Sequence, residues 1–155
     1  MSFQIHALPR SQFEPLFSLS DNELAEINAA RMRVDCKPGY PCRVSLADAE
    51  IDETVILMNF EHQPGESPYK SAHAIFVRDN AEQAFPGVGV VPEVLATRLI
   101  SIRAFDRDHN MLDADVVDGT DLGESIPTML EDQQVAYLHL HNAKRGCFAA
   151  RVTRD

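Results

Sequence analysis

The densest group of chemically able side chains lies near the C-terminus. Val135-Ala136-Tyr137-Leu138-His139-Leu140-His141 is followed, after Asn142-Ala143-Lys144-Arg145-Gly146, by Cys147-Phe148-Ala149-Ala150-Arg151-Val152. Two alternating runs around a Gly-containing loop predict a β-hairpin. Pairing His141 with Cys147 sets His139 opposite Ala149 and Tyr137 opposite Arg151. Because strand side chains alternate, Ala136, Leu138, Leu140, Phe148, Ala150 and Val152 then share an apolar face, and Tyr137, His139, His141, Cys147 and Arg151 gather on the other.

Opposed side chains on such a hairpin have Cβ atoms about 4.5–5.5 Å apart, close enough for an imidazole to touch a thiol. A His neighbour raises the thiolate fraction, so Cys147 reads as a nucleophile with His139 and His141 as its catalytic partners. Arg151 is suited to a bidentate grip on a small anionic molecule. Tyr137, Arg43, Tyr69 and His73 are the further ligand-binding candidates. His139, His141 and Cys147 are also three ligand types fit for zinc, with a fourth position for water. Otherwise no cofactor is expected. Against both stands the plainer reading of a His-x-His pair as part of a polar, non-catalytic sheet face.

The elements that must position these groups read as follows. Phe3 to Leu8 alternates. Ser11-Gln12-Phe13-Glu14 and Ser20-Asp21-Asn22-Glu23 both fit a capping box, the second leading a helix to about Ala30 with Leu24 and Ile27 inward. Arg31 to Asp35 reads as a strand and Cys36 to Cys42 as a turn-rich loop. Val55 to Phe60 and Tyr69 to Val77 form a long-looped hairpin, and Pro92 starts a short helix ending near Arg98. Leu99 to Phe105 and Met111 to Val117 flank a loop of turn formers. With Phe105 facing Met111, Ile100, Ile102, Ala104, Leu112, Ala114 and Val116 share a core face, and Arg103 lies across from Asp113 on a wet one. Asp121 to Asp132 has helical spacing, with Pro127 either in the first turn of a late-starting helix or at a kink.

The 155 residues suit one domain with no repeat or linker. The expected class is α+β, a mostly antiparallel sheet of three hairpins plus an N-terminal strand, with short helices on one side. A net charge of −10 and no basic cluster argue against nucleic acid and anionic lipid as partners. No run approaches the roughly 20 apolar residues of a membrane span. No export signal is visible, so a cytoplasmic protein with reduced thiols is expected from Cys36, Cys42 and Cys147.

Several blocks carry a family resemblance: Lys37-Pro38-Gly39-Tyr40-Pro41-Cys42-Arg43-Val44-Ser45-Leu46, Asn59-Phe60-Glu61-His62-Gln63-Pro64, Ser71 to Arg78, Asp113 to Gly119, and His139 to Arg151. Over nearly its whole length the chain resembles a bacterial family catalogued only as domain of unknown function number 1203. The resemblance implies no activity. Two classes therefore remain: a small-molecule-binding protein or enzyme using the C-terminal hairpin, and a non-catalytic binding or assembly module, homo-oligomeric through that polar face or through a strand edge at Arg151 to Arg154.

Overall fold

A computed structural model describes residues 1–155. The strands form two five-stranded sheets, mostly antiparallel, with few short helices, so the α+β expectation holds. The chain divides into two compact units, one of Met1–His6, Glu61–His73 and Phe85–Asp155, the other of Ala7–Phe60 and Ala74–Ala84. No helix is long and apolar enough to cross a membrane.

The first unit is built on the sheet β1 (Phe3–His6), β10 (Phe148–Arg154), β9 (Tyr137–Asn142), β7 (Leu99–Phe105) and β8 (Met111–Asp118), in that spatial order. All its neighbours run antiparallel. Ile5, Ile100, Ile102, Ala104, Leu138, Leu140, Ala150 and Val152 share one face and are almost wholly buried. Each such Ile or Leu contributes about 1.5–3 kcal/mol by leaving water. Helix α3 (Leu122–Leu130) buries Leu122, Ile126 and Leu130. It starts earlier than a first-turn Pro127 would require, and the carbonyl that the ring would crowd belongs to Gly123. Arg154 at the end of β10 donates to the carbonyl of Leu130, one of the orphan acceptors of the helix C-terminus, and to those of Asp132 and Val135 in the turn that follows. The short helix α2 (Glu93–Ala96) has Pro92 as its N-cap.

Both predicted hairpins of this sheet form, and both carry a bulge beside the loop that changes which residues share a face. In β8, Phe105 does face Met111, but the next pair is Ala104 with Asp113, so Leu112 is an extra residue. Arg103 therefore lies opposite Ala114 rather than Asp113. β8 is an outer strand, and Leu112, Ala114 and Val116 are exposed instead of core. In β10 the extra residue is Ala149. The edge expected at Arg151 to Arg154 does not exist, because β1 pairs with β10 along its length.

The second unit carries most of the sheet β2 (Ala29–Arg33), β5 (Thr54–Gln63), β6 (Ser71–Arg78), β3 (Pro41–Cys42) and β4 (Ala47–Asp48), in that order. The outer ends of β5 and β6, with their loop, are the Glu61–His73 segment of the first unit. Phe13, Cys42, Val44, Ile75, Val77 and Ala81 make one buried cluster, and Leu24, Ala29 and Ile56 another. Ser20 caps helix α1 (Asp21–Glu26), its Oγ accepting from the Glu23 amide at 3.2 Å as the capping box predicts. The helix stops four residues short of Ala30, because Asn28 adopts a left-handed φ of 56°, and Ile27 is left 47% exposed rather than inward. The Ser11 box forms no side-chain cap. Two 3-10 turns occupy the segment instead, since Pro15 has no N–H to donate to the Ser11 carbonyl four residues back.

Candidate functional site

The polar side of the first unit's sheet is best described row by row. Strand pairing places Arg151 of β10 and Arg103 of β7 directly opposite His139 of β9, and His6 of β1 opposite Arg151. Paired residues point to the same side of a sheet, so His6, Arg151, His139 and Arg103 form one continuous row. The neighbouring rows contain Phe105 with Tyr137, and Phe148, His141 and Ser101.

The outcome for the predicted cluster is mixed. Tyr137, His139, His141 and Arg151 share a face, as their alternation dictates, though Arg151 faces His139 rather than Tyr137. Cys147 does not join them. The Ala149 bulge pairs Phe148 with His141, so phenylalanine takes the place expected for the thiol. Cys147 instead lies beside Asn142, whose amide Nδ2 is 3.6 Å from Sγ, and is 7% exposed. The trio of His139, His141 and Cys147 is thus not assembled, and no three His, Cys, Asp or Glu side chains are grouped to hold a metal ion.

The Glu61–His73 segment supplies groups that the hairpin alone could not reveal. The His62 ring stands edge-on to His141 at 4.9 Å and stacks on Phe148 at 5.7 Å, with His139 6.1 Å away. Gln63 Nε2 donates to the Tyr137 hydroxyl at 2.8 Å, and His109 Nδ1 lies 2.8 Å from the same oxygen. With Gln63 donating, the single phenolic hydrogen is available to His109. Tyr69 is 41% exposed and meets Phe105 edge-on. His73 is half-buried on β6, and its charge acts on His141. Arg43 belongs to the second unit, where it is 2% exposed and its guanidinium donates to the Pro41 carbonyl.

The electrostatics follow from this packing. Burial, then the nearby His141, His62, Arg151 and Arg103, lower the His139 pKa to about 3. Burial also lowers His141 to about 3, against a hydrogen bond to the Gly146 carbonyl that favours its charged form. Both imidazoles are therefore neutral at pH 7. A carbonyl cannot donate, so the 2.8 Å contact fixes the proton of His141 on Nδ1 and leaves Nε2 as a lone pair. That Nε2 and His139 Nδ1 are buried and have no hydrogen-bond partner. Burial likewise raises the Tyr137 pKa and lowers that of Arg103.

The two arginines differ from the arginines of the chain that form ion pairs. Arg31, Arg33 and Arg78 each have a carboxylate within 2.7 Å. Neither Arg103 nor Arg151 has one within 4.0 Å, although the chain holds 24 Asp and Glu. Arg103 Nε reaches only Ser101 Oγ at 3.4 Å, and the Arg151 guanidinium carbon sits 4.4 Å from the centre of the Tyr137 ring. Arg103 and Arg151 can each receive a negative charge at the border of this face, whose imidazoles are themselves buried.

Compared with known proteins, residues 39–154 match the family model described as "Protein of unknown function (DUF1203)". No curated protein and no solved structure matches the chain.

Proposed function

The chain belongs to the DUF1203 family of unknown function, and from its site geometry we propose that it binds a small organic anion on the Tyr137/His139/His141 face, with Arg103 and Arg151 supplying the positive charge. The observation that carries this reading is the pair of guanidiniums flanking His139, both without a carboxylate partner in a chain of net charge −10. Arg103 is half-buried, where a cation in so acidic a chain ordinarily recruits one of its own carboxylates, while Arg151 is open to solvent. Leaving two unrecruited keeps them available to an anion from outside. Any chemistry at the site uses neutral imidazole as hydrogen-bond or proton acceptor rather than a thiolate, because Cys147 is turned away. A cytoplasmic setting suits three cysteines that form no disulfide.

The competing assembly reading draws less support from the sheet edges. On the outer strand β8, the amides of Ala114 and Val116 donate to the carboxylates of Asp113 and Asp115 at 2.8 and 2.7 Å. Side chains that occupy edge amides and surround them with negative charge oppose strand addition.

The test is a thermal-shift panel of carboxylates, phosphate esters and neutral analogues at constant ionic strength. At least one class of anion is expected to raise the melting temperature of the wild type and not that of Arg103→Gln/Arg151→Gln. A panel in which no anion stabilises beyond a salt control contradicts the proposal.

A further inference from the structure

A cavity of about 540 Å³ opens in the second unit, a size that suits a small molecule rather than a bare ion. Its walls come from three stretches of chain. Ser45 lies in the turn between β3 and β4, Glu53 and Thr54 at the start of β5, and Arg78 to Glu82 at the end of β6 and in the turn after it. The Asp79 amide donates to the Thr54 carbonyl at 2.9 Å and the Ala81 amide to the Arg78 carbonyl at 3.1 Å. Between them Asn80 takes a left-handed φ of 55°, a conformation that Asn tolerates better than most residues. Arg10 braces this turn by donating to the carbonyls of Asn80 and Ala81.

The charges of the lining do not balance. Glu53 and Arg78 neutralise each other, Nε and Nη2 of the guanidinium donating to the two carboxylate oxygens at 2.7 and 2.6 Å. That pairing occupies the fork an anion would need. Asp79 and Glu82 have no cationic nitrogen within 4.0 Å, and the carboxylate that Arg10 approaches is Glu14. Glu82 is exposed, but Asp79 is half-buried, and its Oδ1 is buried without a hydrogen-bond partner. A carboxylate so placed is costly until a donor or cation meets it.

We propose that this cavity binds a small organic cation bearing N–H groups, an amine or a guanidine, whose charged end pairs with the carboxylate of Asp79 beside that of Glu82. Oδ1 of Asp79 is closed off, so Oδ2 is the oxygen that the ligand meets. An ionised carboxylate only accepts, so its partner must donate. No aromatic residue lines the cavity, which leaves a quaternary ammonium without the ring face that such a cation prefers. The Thr54 hydroxyl and the Asn80 amide offer polar contacts to the rest of the ligand. Every lining residue belongs to the second unit, so the site does not depend on the anion reading.

Amide NMR titration of the full chain at constant ionic strength tests the proposal. Butylamine and butylguanidine serve as N–H cations, tetramethylammonium as a cation without N–H, and 1-butanol as the neutral control. The amides of Asp79, Asn80 and Glu82 are expected to show saturable shifts with at least one N–H cation and none with the two controls. Asp79→Asn removes the charge at nearly constant volume and is expected to weaken that binding about tenfold. Glu82→Gln, at an exposed side chain, is expected to weaken it about twofold to threefold and carries the test should Asp79→Asn fail to give a cooperative melt. Glu26→Gln, which changes an exposed carboxylate on α1, is expected to leave it unaltered. The proposal is overturned if neither N–H cation gives saturable shifts at these amides, if tetramethylammonium shifts them equally, or if binding is undiminished in every one of the Asp79→Asn and Glu82→Gln variants that melts cooperatively.

Discussion

His139 and Arg151 face each other across β9 and β10, an imidazole 4% exposed against a guanidinium open to solvent. Arg103 completes the arrangement from β7. A neutral histidine held between two cations is costly to protonate, and this has consequences for stability.

The pH dependence follows with a definite sign. The folded-state pKa values of His139 and His141 are near 3, below the ordinary 6.5, so between these limits the unfolded chain binds more protons than the folded one. Stability from these residues is fully present above about pH 6.5 and declines as the pH falls toward 3. The urea midpoint should fall with acidification, and His139→Gln should show a shallower fall over the same range.

The Tyr137 hydroxyl joins Gln63 to His109 in a buried network. Tyr137→Phe keeps the ring but leaves the Gln63 amide, on a residue 2% exposed, without its partner. A loss of about 1–3 kcal/mol is expected, measured by chemical denaturation. Its ring contact with Arg151 should survive, so anion affinity should change less than in Arg151→Gln.

Gly65 touches the same network. A Cβ there would meet the His109 ring at 2.3 Å. Gly65→Ala should cost about 1–3 kcal/mol through overpacking. His109→Ala in the same chain should recover part of that loss, an interaction visible in a double-mutant cycle.

The thiols give a further check. Cys36 is exposed, whereas Cys42 and Cys147 are buried. Brief alkylation of the native protein, followed by mass spectrometry, should label Cys36 first and Cys147 only on unfolding. Cys147→Ala should leave anion binding within about twofold of wild type, less than 0.5 kcal/mol, since the thiol lies off the histidine face. Rapid native labelling of Cys147 would contradict the register.

Alternation alone made much of this site legible. Tyr137, His139 and His141 share a face in any register, because that follows from a period of two within one strand. The apolar set Leu138, Leu140, Ala150 and Val152 was equally readable. What failed was the pairing near the loops. Ala149 and Leu112 are ordinary residues at bulges, with no glycine to announce them, and each shifts the strand by one place. That exchanged Cys147 for Phe148 and separated Arg103 from Asp113. Strand order was a further obstacle: β7 lies beside β9 although helix α3 intervenes in sequence, and only that adjacency brings Arg103 to His139. His62 lies near the end of β5, and nothing in its own stretch of sequence identifies His141 as its neighbour.

The most direct test of the central claim is an NMR titration of the histidine side chains, with the six histidine imidazoles assigned. On addition of a stabilising anion, His139 and His141 should show the largest saturable shifts, and the shifts should vanish in Arg103→Gln/Arg151→Gln. Shifts that are linear in anion concentration, or that persist in the double variant, would contradict an anion site on this face.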